Sequence, residues 1–135
     1  MTRKEFEAIV AEEFPVSVPE KFREKIHNVA FVVEDEPSLV VRRQQKASPN
    51  QTLLGLYHGI PRTARGESYG IGVTLPDVIT LFQRPIEEEA RGNRARVREV
   101  VRETIWHEVA HHFGLDEKEV SKREPTRRVV IKDSH

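Results

Sequence analysis

The chain has no cysteine in its 135 residues. A disulfide framework, a thiol nucleophile and cysteine-ligated zinc are therefore excluded. The absence fits a reducing compartment, and a cytoplasmic setting is the expectation. A surplus of either charge is also missing, with 22 Lys and Arg against 22 Asp and Glu. No net field recruits nucleic acid or an anionic membrane, so neither is expected as a partner. Arginine is dense between Arg91 and Arg102, but Glu99 and Glu103 interleave, and the stretch reads as a solvated helix face. Long apolar runs are lacking: nothing approaches the ~20 residues of a membrane helix. Met1 to Ala11 is charged and amphipathic, without the apolar centre of a signal peptide. Internal repeats and low-complexity segments are absent as well. The length suits one domain over residues 1–135 with one modest core, and residues 125–135 read as a flexible tail.

Periodicity and punctuation give a coarse map. Thr2 to Glu13 has the pattern of a helix, with Thr2 and Glu5 as a capping box and Phe6, Ile9 and Val10 on one face. Pro19 suits the first turn of a short helix reaching about Ile26. Val29–Val33, Leu53–Tyr57 and Val78–Phe82 read as strands, and Arg62–Gly72 as a polar surface loop. A long helix is expected from about Ile86 to Phe113, with Gly92-Asn93 as a weak point at which it can instead begin. Gly114 suits a C-terminal cap, and Asp116 with Glu119 suits the capping box of a short helix from Glu117 to about Arg123. Val129–Ile131 reads as a short strand or, preferably, as part of the frayed tail.

His107-Glu108-Val109-Ala110-His111 is the pattern that carries chemistry. Two histidines four residues apart lie one turn apart on one helix face, so both imidazoles reach one ion. Glu108 is rotated about 100° from His107. It is badly placed to ligate the same ion and well placed to contact a water bound there. Zinc lowers the pKa of such a water toward ~7, and a neighbouring carboxylate can take its proton. The surrounding helix supports this reading: its second half is apolar nearly all round, and buried imidazoles and carboxylates need a partner or a metal.

An open catalytic zinc site takes a third protein ligand. Downstream of Gly114, Asp116 and Glu117 are both available. Asp116 has a sufficient alternative role as a helix cap, which leaves Glu117 freer to ligate.

The run His107–Glu117, HEVAHHFGLDE, resembles the H-E-x-x-H-x-x-G-x-x-D signature of aspzincin-type metallopeptidases, and more closely the minimal zincin-like metallopeptidase family of small bacterial proteins. The segments NVAFVVEDEP, LLGLYHGIP and LPDVITLFQRPI resemble that family's pattern too, so the likeness extends over about Phe6 to Val120. Where the signature has Asp, this chain has Glu117, with Asp116 one position earlier. The resemblance implies a minimal zincin-like α+β fold, one zinc ion per chain and hydrolysis of a peptide bond.

The combined expectation is a small mixed or antiparallel sheet packed on the long motif-bearing helix. His107, His111 and Glu117 (or Asp116) hold zinc, Glu108 is the general base, and the chain is a monomer or weak homodimer acting on a peptide or protein substrate. Tyr69 and His58 are candidates for stabilising an oxyanion or touching substrate. Tyr57 reads as packing and His112 as a core or supporting histidine. The alternative is a zincin scaffold without turnover, kept as a metal-binding or protein-interaction module.

Overall fold

A computed structural model describes residues 1–23, 28–46, 51–59, 76–113 and 131–133. The first helix, α1 (Arg3–Glu13), opens with the expected capping box. The Thr2 hydroxyl accepts from the Glu5 N–H at 3.0 Å, and the Glu5 carboxylate accepts from the Thr2 N–H at 2.9 Å. A single 3₁₀ turn (Phe14–Val16) and a short helix α2 (Glu20–Arg23) lead to strand β1 (Val29–Glu34). Then follows α3 (Leu39–Gln44), which the sequence pattern does not announce. Its β-branched pair Val40-Val41 and its outward-facing Leu39 give no amphipathic pattern. What starts it is Ser38, whose hydroxyl accepts from the Val41 N–H at 3.1 Å.

The expected strand Leu53–Tyr57 is two strands, β2 (Gln51–Leu53) and β3 (Gly55–His58). Leu53 and Leu54 are both fully buried, which one pleated strand with a solvated face does not permit. The chain changes sheets at Leu54. Its carbonyl still accepts from the Phe82 N–H at 3.0 Å, whereas β2 departs to pair with β5 (Ile131–Asp133). The expectation of a tail over that last segment is therefore corrected: residues 131–133 are a strand antiparallel to β2.

The main sheet has the order β1–β4–β3, with β4 spanning Asp77–Phe82. β1 runs parallel to β4 and β3 antiparallel to it, so of the mixed and antiparallel arrangements expected the sheet takes the mixed one. The expected long helix is likewise two, α4 (Gln83–Glu89) and α5 (Arg94–His112). Pro85 does not delay α4, because in a first turn its missing N–H would have had no helical partner. The break follows a Schellman closure. Gly92 N–H donates to the Glu87 carbonyl and Arg91 N–H to that of Glu88, while Arg91 and Gly92 take φ of 53° and 73°. Asn93 then caps α5 by accepting from the Arg96 N–H at 2.9 Å.

The core lies between α1, α5 and the sheet, built from Phe6, Ile9 and Val10, from Val97, Val101 and Ile105, and from Val33, Ile79 and Leu81. The arginine-rich face of α5 is tied to α1 by Arg94–Glu5 and by Arg98 and Arg102 with Glu13, pairs on the solvated side that contribute modestly. Among the described residues no helix is long and apolar enough to cross a membrane.

Candidate metal-hydrolase site

The motif occupies the C-terminal turns of α5, where every residue from Thr104 to Ala110 is buried. This agrees with the expected change from an amphipathic first half to an apolar second half. The rings of His107 and His111 stack with centroids 4.7 Å apart and planes 23° from parallel. His107 is 7% exposed while His111 reaches the surface, so the pair runs from the core to solvent. The carbonyl end of a helix also carries the partial negative charge that favours a cation.

Opposite this helix lies β3, in a register that geometry makes natural. Two strand residues advance about 6.6 Å, and four helix residues advance about 6 Å. Gly55, Tyr57 and Gly59 therefore meet Thr104, Glu108 and His112 in turn. The glycines are required by closeness. A Cβ on Gly55 would lie 2.5 Å from the Thr104 methyl, and one on Gly59 would lie 2.8 Å from the His112 ring. The buried Thr104 hydroxyl is satisfied within its own helix, by the Val100 carbonyl at 2.7 Å.

At the middle step Glu108 Oε1 accepts from the Tyr57 backbone N–H at 2.7 Å. Glu108 is 6% exposed. Burial pushes its carboxyl up to about 7, against the Tyr57 hydrogen bond, which pulls the other way. A carboxyl titrating near neutrality can both take and release a proton there. The Tyr57 hydroxyl donates to Asp77 Oδ2 at 2.7 Å, and its ring stacks on His112 at 4.0 Å. His112 Nε2 in turn lies 4.0 Å from the same Asp77 oxygen.

These contacts revise two expectations. Tyr57 is more than packing, since it touches Glu108 with its backbone and His112 with its ring. Of the two roles expected for His112, core or supporting, the core one is corrected: it is at the surface, on the Glu108 side of the helix, four residues on from Glu108. Asp77 was not singled out from the sequence at all. The alternation Gly55-x-Tyr57-x-Gly59 was the available signal, because two glycines on one strand face mark a close approach. His58 ends β3 with an exposed side chain and pairs in register with Val78. Tyr69, Asp116, Glu117 and Gly114, with the loop Arg62–Gly72 and the helix expected from Glu117, lie outside the described residues.

The donor chemistry fits zinc as far as it is described. Two imidazoles one turn apart on one face form half of a tetrahedral set, with a carboxylate alongside that is not needed as a ligand. Among the described residues no group of three or more His, Asp or Glu side chains is arranged to hold a metal. The sequence supplies its further carboxylates just downstream, at Asp116 and Glu117. A separate cavity of about 480 Å³, lined in part by Ser17, Pro19, Arg102 and Trp106, opens on a different strip of α5.

A sequence model of zincin-like metallopeptidases matches residues 26–127, about three quarters of the chain. The search of curated proteins gave no match.

Proposed function

The chain belongs to the zincin-like metallopeptidase family, and from that premise we propose that it is a zinc-dependent peptidase whose general base is Glu108. The observation that carries the proposal is the placement of that carboxyl. It is buried beside the stacked His107–His111 pair, held at one oxygen by the Tyr57 N–H, and raised to about 7. An isolated buried glutamate is costly to a fold, and one held by a single N–H beside two metal-type donors is placed for proton transfer.

In this reading His107 and His111 hold zinc, with Glu117 or Asp116 as the third ligand. Zinc, when bound, supplies an acidified water and polarises the carbonyl under attack. Glu108 takes the proton at its carboxylate and passes it to the leaving amine. Tyr57, through its N–H, fixes one carboxylate oxygen and leaves the other to do this work.

An extended substrate has a natural place on β3, the outer strand of the sheet. The Phe82 N–H to Leu54 carbonyl bond puts Leu54 in a bonded position. By antiparallel alternation, Leu56 and His58 then turn their backbone groups toward β4, while Gly55 and Tyr57 turn theirs away. The outward N–H and carbonyl of Gly55 and the outward carbonyl of Tyr57, whose N–H is taken by Glu108, are the groups a peptide can pair with.

The test is cleavage of a mixed peptide library read by mass spectrometry, for the wild type and Glu108→Gln with zinc supplied. Cleavage by the wild type alone supports the proposal. Equal cleavage by both points to a contaminant and overturns it. Zinc bound by both with no cleavage by either replaces it with the interaction-module reading.

A further inference from the structure

We propose that Asp77 is a positioning residue for Glu108, acting through Tyr57. The proposal rests on the reading of Glu108 as the base. It starts from what separates β3 from α5. Of the three strand residues that face the helix, Gly55 and Gly59 have no side chain, and at both a methyl group would already be too close. Tyr57 is thus the side chain that spaces strand from helix along this contact. A displaced ring strains the backbone that carries the Tyr57 N–H, and that N–H is the donor to Glu108.

The ring meets Phe113 edge-on at 6.3 Å, and two further contacts constrain it. One face stacks on His112, a flat surface along which a ring can slide. The hydroxyl end is pinned by Asp77 Oδ2 at 2.7 Å, a directional bond to a carboxylate and the stronger constraint. Asp77 is itself well anchored. It is 8% exposed, it opens β4 in register with Val29, and its N–H donates to the Asn28 carbonyl at 3.0 Å. The central strand of the sheet therefore sets the position of Asp77, Asp77 sets Tyr57, and Tyr57 sets one oxygen of Glu108. A buried aspartate in a small core is costly unless its bonds are made, and here one of them is made to the residue that holds the base.

The experiment has one readout on the zinc-free chain and one on turnover. The chain has two tyrosines, Tyr57 and Tyr69, so ¹⁵N-tyrosine labelling gives two backbone amide signals. Glu108→Ala identifies that of Tyr57 and shows where it moves when its acceptor is lost. The expected result is that Asp77→Ala moves the Tyr57 signal toward that same position. Asp77→Asn keeps an acceptor for the tyrosine hydroxyl and leaves the signal near its wild-type place. With zinc supplied, Asp77→Ala and Tyr57→Phe lower kcat by about 10²-fold, the cost of misplacing a reacting group by ~1 Å. KM stays within about twofold, and Asp77→Asn recovers most of the loss. A Tyr57 amide unmoved in folded Asp77→Ala overturns the proposal. So does an Asp77→Asn as impaired as Asp77→Ala, which would make the charge facing His112 the operative feature. If Asp77→Ala fails to fold, uniformly labelled Tyr57→Phe takes its place: a shifted amide at position 57 supports the proposal, and an unmoved one overturns it. A wild type without turnover removes the base reading, while the amide result still decides whether Asp77 places Glu108.

Discussion

The backbone N–H of Tyr57 and the carboxylate of Glu108 meet at 2.7 Å, although 51 residues separate them in the chain. The first is on the outer strand of the sheet and the second is in the motif helix. This bond joins the edge on which a substrate can lie to the group that would act on it. It also makes one consequence of burial measurable.

Glu108 is raised from 4.5 to about 7 in the folded chain. A carboxyl raised on folding favours the folded state most fully below its unfolded pKa, where both states hold the proton. As pH climbs from about 4.5 to about 7 the unfolded chain releases the proton first, and stability falls. Above about 7 the loss is complete, on the order of 3 kcal/mol for a shift of this size. The zinc-free wild type should therefore lose stability across that window relative to Glu108→Gln, which has no such proton. Urea unfolding of both chains at pH 4, 5.5 and 7.5 measures the difference. A constant gap between them at all three values rejects the prediction.

Glu108→Gln should keep zinc and lose hydrolysis by about 10²–10⁴-fold, the usual contribution of a general base. Gln is nearly isosteric and still accepts from the Tyr57 N–H, but it takes up no proton. Zinc content by elemental analysis, together with kcat on the best library peptide, checks both halves. Loss of zinc in this variant would place Glu108 among the ligands instead.

Zinc should load at roughly one ion per chain, and the double variant His107→Ala, His111→Ala should remove it. The two rings, stacked 4.7 Å apart, would supply two of its donors. Elemental analysis after dialysis against trace zinc decides this. Full occupancy in the double variant would put the metal elsewhere.

Gly55→Ala should destabilise the fold by about 1–3 kcal/mol, as overpacking does. Its Cβ would sit 2.5 Å from the Thr104 methyl and 3.2 Å from the Thr80 carbonyl oxygen, and both belong to buried, regular elements. Gly59→Ala should cost less, because its obstacle is the end of a half-exposed His112 ring that can turn aside. Melting temperatures of the two variants rank them, and the reverse order would mean that β3 and α5 separate more easily at Gly55 than at Gly59.

How far the sequence revealed these relations depends on their range. The capping box of α1 and the one-turn spacing of His107 and His111 are local, and both were legible from a few residues. The three strands of the main sheet followed from runs of β-branched and aromatic residues, though their mixed directions did not. What escaped was set by distant partners. Leu54 switches sheets because Phe82 and β5 draw the chain in two directions, and neither is visible from Leu53–Tyr57. Asp77 looks like the start of a strand until the Tyr57 hydroxyl is seen to reach it. His112 falls next to the apolar positions of α5 on a helical wheel, yet the helix ends beside β3 and leaves that ring on the surface.

The third zinc ligand is best sought at Glu117 rather than Asp116, on arguments of spacing and of competing roles. Glu117 stands three residues after Gly114, where the resembling signature has its acidic ligand. Asp116 has a separate use, since its carboxylate can accept the amide hydrogen of Glu119 and cap a following helix. Against this, Glu117 is one methylene longer than the Asp of the signature and needs a slightly displaced backbone. The two substitutions should therefore differ in kind. Glu117→Ala should weaken zinc affinity sharply and leave the zinc-free chain about as stable as before. Asp116→Ala should lower zinc-free stability by about 1 kcal/mol, as a lost cap does, with a much smaller change in affinity. Zinc titrations and zinc-free melting curves of both variants separate the roles. The opposite pattern would make Asp116 the ligand, and wild-type affinity in both would move the search to His58.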